Sequence, residues 1–196
     1  MGTAHALSGW YWRQMATWSA LLGRRSRARQ CWERLEALRP ADPGVIETIG
    51  HLRAADGARE EAIERFEQAL AIDPSRRDTW FNLGYLRQEA GENARAVQAF
   101  QQALALDERH DRAWYGLGLS LVRLGRIEEA VPAFERNAQL QPMSPYGWYQ
   151  LAHALHRLGR SAQAGDAIRR LASFEPRVAR QLERETGIEI GVQVPF

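Results

Sequence analysis

The residues best suited to chemistry give little support for catalysis. His153 and His156 are three positions apart, so on a helix both would share one face and could approach one metal ion. No carboxylate or second cysteine completes a ligand set, because Cys31 is the only cysteine and no acid stands at a matching spacing. No Ser-His-Asp order, phosphate-binding glycine loop or pair of catalytic carboxylates stands out either. The sequence therefore predicts a non-enzymatic protein without a metal or another cofactor.

A skeleton of residues recurs every 34 positions between residues 9 and 178. Glycine recurs at Gly23, Gly57, Gly91, Gly125 and Gly159, and alanine recurs five places later at Ala28, Ala62, Ala96, Ala130 and Ala164. Tryptophan stands at Trp12, Trp80, Trp114 and Trp148, with Ile46 in the remaining place. Five units in one register indicate a repeat architecture.

The repeat resembles the tetratricopeptide repeat family, which has the same period and a W-x2-L-G, A-x3-F, P pattern. The clearest copy runs from Trp114 through Leu117-Gly118 to Ala130, Phe134 and Pro142. There are departures: the tyrosine that the family places after Leu-Gly is absent, and Asn137 replaces an expected alanine. The resemblance implies an all-α, right-handed α-solenoid of helix-turn-helix repeats that acts as a scaffold for protein–protein interactions.

The boundaries follow from the repeat. We predict an N-terminal segment over 1–8, five units over 9–42, 43–76, 77–110, 111–144 and 145–178, and a capping helix with a C-terminal tail over 179–196. In the third unit, apolar spacing predicts a first helix over about 78–90 and a second over about 93–106, with Asn93 as its N-cap. Small residues should mark close helix crossings, at Ala16, Gly50, Gly84, Gly118 and Ala152.

In the family, ligands usually contact the first helices, which line the concave groove of the array. Carried onto this sequence, the predicted peptide-binding residues are Phe81, Asn82, Tyr85, Arg112, Tyr115, Leu119, Arg123, Tyr149, His153, His156 and Arg157. Tyr146 and Gln150 also take groove-facing places. Rigid aromatics and arginines are enriched at protein interfaces. We therefore expect a protein or peptide partner with apolar anchors and flanking acidic residues.

The first unit is the least typical. Residues 1–40 carry four clustered aromatic side chains and seven arginines against two glutamates, a balance of +5, whereas the whole chain carries +2. We favour an N-terminal capping repeat whose arginines face solvent. The same cluster is also typical of an interfacial membrane site, as in a peripheral membrane adaptor, and of an RNA-associated scaffold.

The overall composition and net charge also limit the class of protein and its location. All 26 basic residues are arginine, which suggests a GC-rich, bacterial genome. The small net charge does not indicate a nucleic-acid binder, and the start lacks a secretory signal, so we expect a cytoplasmic location. The tail from Ile188 to Phe196 alternates apolar and polar residues like a strand. It could cover the last helix, enter the groove or pair with another chain to form a homo-oligomer.

Overall fold

A computed structural model describes residues 2–193, and this part of the chain folds into eleven helices without a strand. The helices are α1 (Gly2–Leu21), α2 (Arg25–Leu38), α3 (Pro43–Ala55), α4 (Arg59–Ile72), α5 (Arg77–Glu89), α6 (Asn93–Leu106), α7 (Asp111–Arg123), α8 (Ile127–Leu140), α9 (Pro145–Arg157), α10 (Ser161–Ala172) and α11 (Pro176–Thr186). The predicted all-α solenoid of helical repeats is confirmed. Residues 2–8 are helical and belong to α1, so the first helix starts before residue 9, where the sequence placed the first unit.

The chain divides into two compact parts, the first ending at Leu86 and the second beginning at Arg87. In the first part, α1 packs on α2, α2 on α3, and α3 on α4. In the second part, α6 packs on α7, α7 on α8, α8 on α9, and α9 on α10, while α11 packs on both α9 and α10. These helices therefore pack mainly on their neighbours along the chain, as expected of a repeat architecture.

The turn inside each unit depends on a glycine. Gly91 and its four counterparts all have φ between 69° and 81°, a left-handed conformation that other residues adopt only with strain. The recurring glycines therefore end the first helices of the units. The predicted N-cap in the third unit is wrong: Glu92 is the N-cap residue, and Asn93 is the first residue of α6. The Asn93 side chain instead donates to the Gly91 carbonyl at 3.2 Å.

The tryptophans of the repeat have a role that the sequence did not reveal. Each of Trp80, Trp114 and Trp148 is half-buried, and its indole N–H donates to the backbone carbonyl six residues earlier, at 2.8–3.1 Å. The carbonyl belongs to the third-last residue of the preceding unit in the predicted register. The indole therefore holds the linker between two units while its ring covers apolar surface.

The two helices of a unit approach closely where a small residue faces a phenylalanine. A Cβ atom placed on Gly118 would stand 2.5 Å from the Phe134 ring, and one placed on Gly50 would stand 2.8 Å from the Phe66 ring. Both rings are at most 1% exposed and cannot move aside. The predicted close crossings at these two glycines are confirmed.

We expect Gly118→Ala to lower the free energy of unfolding by about 1–3 kcal/mol, because overpacking a filled core forces side chains and backbone apart. The loss should outweigh the gain in helix propensity of about 1 kcal/mol that alanine brings. Urea denaturation measures the difference. Gly165→Ala in α10 is the matched control, since its added Cβ would meet no atom closer than 3.6 Å. Equal denaturation midpoints for the two variants would contradict the crowding at Gly118.

Asn137, the departure from the expected alanine, links three helices of the second part. It is buried in α8, and its amide donates to the Asp111 carbonyl at the start of α7 at 2.9 Å. A Cβ atom on Gly147 of α9 would stand 2.3 Å from its oxygen. The larger side chain is therefore accommodated because the facing residue is glycine.

Helix α11 covers the C-terminal end of the second part, and Gly187 terminates it at φ 69°. Ala179 and Leu182 of α11 are fully buried. Residues 188–193 do not form a strand. A side-chain oxygen of Glu183 accepts hydrogen bonds from the backbone N–H groups of Ile190 at 2.7 Å and Val192 at 3.2 Å. This part of the tail lies along α11 and beside Gly165 of α10, so it covers the last helices. Residues 194–196, including Phe196, lie outside the described residues.

Candidate functional site

The predicted peptide-binding residues lie in both parts of the chain. In the first part, Phe81 and Asn82 are half-buried on α5, and Tyr85 is about half exposed. In the second part, Tyr115, Leu119, Tyr149, His153 and His156 are half-buried, whereas Arg112, Arg123 and Arg157 are exposed. None of these eleven side chains is fully buried, so each keeps some surface that a ligand can reach.

The second part brings a subset of these residues together around a pocket. The pocket has a volume of about 370 Å³ and lies between α7, α9 and the start of α11. Its walls are Tyr115, Pro145, Tyr146, Tyr149, Gln150 and Val178. Two of these, Tyr115 and Tyr149, are predicted binding residues, and Tyr146 and Gln150 take predicted groove-facing places. We call this cavity the tyrosine pocket.

The tyrosine pocket is apolar in its walls and polar at its rim. The rings of Tyr115 and Tyr146 meet edge to face with centroids 6.4 Å apart, and Tyr115 meets the buried ring of Phe134 in the same way at 6.1 Å. Burial raises the pKa of the Tyr115 hydroxyl, and the neighbouring Gln150 side chain opposes part of that rise. The hydroxyl is therefore neutral at physiological pH and can donate or accept a hydrogen bond.

The carboxylate of Glu185, on the capping helix α11, lies against Tyr149 at one edge of the pocket. The hydroxyl of Tyr149 donates to Glu185 at 2.7 Å, and Nε2 of His153 lies 3.0 Å from the same oxygen. The amide of Gln181 donates to the other Glu185 oxygen at 2.7 Å. These hydrogen bonds lower the pKa of Glu185, with Gln181 first and then Tyr149 and His153 as causes. The bond to Glu185 in turn raises the pKa of Tyr149 to about 12.

Arg123 is held by the backbone of the second part. Its guanidinium donates to the Gln88 carbonyl at 3.0 Å. Gln88 is buried, and its amide donates to the Gly116 carbonyl at 2.9 Å and to the Ser120 hydroxyl at 2.7 Å. Arg123 thus closes a structural hydrogen-bond network between α5 and α7.

Sequence profiles of the tetratricopeptide repeat match residues 81–142 and 117–177, and a further TPR-repeat profile matches residues 50–91. Together these matches cover more than half of the chain. The chain belongs to the tetratricopeptide repeat (TPR) family. A comparison with curated protein sequences gives no match.

Solved TPR structures share the fold at low identity. A MamA protein is 19% identical with a TM-score of 0.78, over 96% of this chain and 98% of the other. MamA from Desulfovibrio magneticus RS-1 is 17% identical with a TM-score of 0.76, over 91% and 96%. YrrB, described as a TPR protein with an unusual peptide-binding site, is 18% identical with a TM-score of 0.76, over 86% and 88%. At these identities the likeness shows the fold alone.

TPR repeats are interaction scaffolds and are generally non-catalytic, and this places the protein among protein-binding modules. Within the described residues, no three His, Cys, Asp or Glu side chains gather in an arrangement that could hold a metal ion. His153 is engaged with Glu185, and Cys31 is buried in the first part. Across residues 2–193, no helix combines the length and apolar character needed to cross a bilayer.

Proposed function

We propose that this TPR protein is a non-enzymatic scaffold that binds a protein or peptide segment, with the tyrosine pocket as the anchor point. The observation that carries this proposal is the pocket itself: three tyrosines and Val178 line a cavity on the first-helix face, where TPR proteins usually hold their ligands. A cavity of this size accepts one large apolar side chain. Tyrosine supplies wide contact area at low entropic cost, which suits an anchor site.

The surroundings of the pocket favour an acidic neighbour to that anchor. Arg112 lies one turn before Tyr115 on α7, and Arg157 lies one turn after His153 on α9; both are exposed. Tyr149 and His153 already bind one carboxylate, that of Glu185, so their donors have the geometry that a ligand carboxylate would use. An Asp or Glu of the ligand would compete with Glu185 for these donors or pair with the arginines. Such pairs contribute orientation and encounter rate more than affinity.

Phe81, Asn82 and Tyr85 lie on the part of α5 that belongs to the first part of the chain. Their contact with a ligand stays a prediction, which substitution of each residue can test. The same holds for Leu119 and His156. Arg123 binds the Gln88 carbonyl, so its replacement would remove a structural hydrogen bond as well as a predicted ligand contact.

The proposal can be tested by selection from a random 12-residue peptide library displayed on phage. The bait is the full chain, and the matched bait is a Tyr115→Ala, Tyr149→Ala double variant whose helicity is checked by circular dichroism. We expect enriched peptides to share an aromatic or aliphatic residue close to an Asp or Glu, and to be enriched only on the wild-type bait. Equal enrichment of the same peptides on both baits would rule out the tyrosine pocket as the anchor point.

For a peptide selected in this way, we expect Tyr149→Ala to weaken binding by roughly tenfold to a hundredfold, mainly through faster dissociation. Tyr149→Phe keeps the ring but releases Glu185, so it should change affinity much less. Surface plasmon resonance measures both rates. Tyr11→Ala, which removes an exposed tyrosine from the first part, is the control and should leave both rates unchanged. A Tyr149→Ala variant that binds like the control would contradict the proposed anchor.

A further inference from the structure

The first helix exposes an unusual set of apolar side chains. Five apolar side chains of α1 and of the residue after it face solvent, and each is between 50% and 72% exposed: Trp10, Tyr11, Trp18, Leu21 and Leu22. At 100° per residue they fall within a sector of about 120° on one side of the helix. The buried residues Gly9, Ala16 and Ser19 lie on the opposite side. We call the exposed set the aromatic stripe.

The aromatic stripe is not shaped like the joint between two repeats. Tyr11 occupies the third place of its unit, and its counterparts in the four later units are small or β-branched and buried: Val45, Thr79, Ala113 and Gly147. Trp18 corresponds to side chains that are smaller than an indole, the half-buried Leu52 and Leu86 and the buried Ser120 and Ala154. A preceding repeat packed in the usual way would meet a phenol and an indole where the later units offer smaller side chains. The stripe therefore fits a partner other than one more repeat of this kind.

The segment that carries the stripe has charged side chains of one sign. Residues 2–32 contain five arginines and no acidic residue. Arg24 and Arg27 directly follow the stripe and are exposed. Arg13 borders the stripe on α1 and forms an exposed ion pair with Asp42 at 3.5 Å, which is too exposed to hold it strongly. An occupant of this surface therefore meets two indoles, a phenol and two leucines next to positive charge.

We propose that the aromatic stripe binds the surface of an anionic membrane, with α1 lying in the plane of the interface. Tryptophan and tyrosine favour the boundary between headgroups and acyl chains, where an apolar ring and a polar N–H or O–H are both accommodated. Leu21 and Leu22 enter the apolar layer, and Arg24 and Arg27 meet lipid phosphates. A helix with apolar residues on two sides needs two apolar contacts. The packing of α1 on α2 supplies one of these apolar contacts, and the bilayer supplies the other.

The proposal does not depend on peptide binding, because the stripe and the tyrosine pocket lie in different parts of the chain. The experiment is co-flotation of the full chain with vesicles of equal parts phosphatidylglycerol and phosphatidylcholine, and with vesicles of phosphatidylcholine alone. We expect the wild-type chain to float with the anionic vesicles. A Trp18→Ser, Leu21→Ser variant should lose at least tenfold in partitioning, since two large apolar side chains no longer leave water.

Two further variants separate the contributions. Arg24→Gln, Arg27→Gln should lose about fivefold for each arginine on anionic vesicles. Leu106→Ser, Met143→Ser is the matched control, because it removes two exposed apolar side chains outside the first helix, and it should float like the wild type. Peptide binding at Tyr149, measured in parallel, should be the same in all variants.

Three results would overturn the proposal. The first is flotation of the Trp18→Ser, Leu21→Ser variant at the wild-type level. The second is loss of flotation in the arginine variant alone, combined with release of the wild-type chain from the vesicles when RNA is added. The first repeat would then be a general polyanion site. The third is a wild-type chain that does not float and that light scattering shows to be larger than a monomer, while the Trp18→Ser, Leu21→Ser variant has the monomer mass. The stripe would then be a contact between proteins.

Discussion

Replacing Phe134 by alanine is expected to lower the free energy of unfolding by about 3–5 kcal/mol, among the largest effects that a single substitution can have in this protein. The ring is 0% exposed, and it fills the gap opposite Gly118 where the two helices of the fourth unit approach most closely. Alanine leaves a cavity there that the facing backbone cannot close without moving both helices. Urea denaturation followed by circular dichroism measures the change.

The loss should not remain local. Phe134 also supports the ring of Tyr115, and each repeat buries its apolar face only against its neighbours. We therefore expect faster amide hydrogen exchange in α7 and α9 as well as in α8. Met143→Ala is the control, since its side chain is exposed and its truncation should change stability by less than about 0.5 kcal/mol. A Phe134→Ala variant as stable as this control would show that the ring is not part of the core.

The second large effect is expected from Glu47, an acid half-buried on α3. Contacts with His51, Arg76 and Thr79 lower its pKa from 4.5 to about 2, against the opposing effect of burial. Arg76 forms a close ion pair with it, and the Thr79 hydroxyl donates to it at 2.7 Å. Its side chain is only 14% exposed, so solvent screens these contacts weakly. A shift of this size corresponds to about 3 kcal/mol of stability at neutral pH.

The sign follows from the direction of the shift. The unfolded chain binds a proton at Glu47 near pH 4.5, whereas the folded chain does so only near pH 2. The stabilisation is therefore complete above about pH 4.5 and is lost as the pH falls towards 2. Glu47→Gln should remove it at every pH, so the stability difference between wild type and variant should shrink in acid.

Denaturation of wild type and Glu47→Gln at pH 7 and pH 3 tests this. Glu60→Gln, which neutralises an exposed acid on α4, serves as the control and should have little effect at either pH. A difference between wild type and Glu47→Gln that stays constant from pH 7 to pH 3 would contradict the depressed pKa.

Much of this architecture was predictable because the information is local. Gly91 and its counterparts need positive φ at the helix end, and that requirement is a property of the residue and its place in the turn. Small residues facing phenylalanines, such as Gly118 and Phe134, recur at a fixed spacing because two adjacent helices must cross at a fixed distance. The two helices of the third unit, the turns and the close crossings could therefore be predicted from one sequence.

The candidate site was only partly predictable. The register placed Tyr115 and Tyr149 on first helices, facing the same side. That they form one cavity depends on Val178 of α11, and on Glu185 reaching back 36 positions to Tyr149. Such a contact depends on how the capping helix packs, and no spacing within a repeat encodes it.

Tertiary packing also decided which side chains are exposed and which are structural. Arg123 stands at a predicted groove-facing place, yet in the folded chain it binds the backbone of the second part. The aromatic residues of α1 have the same helical spacing as a core, and only the packing shows that Trp10 and Trp18 face solvent. Helical periodicity determines which residues share a face of a helix. Whether that face is covered depends on the neighbours that the fold supplies.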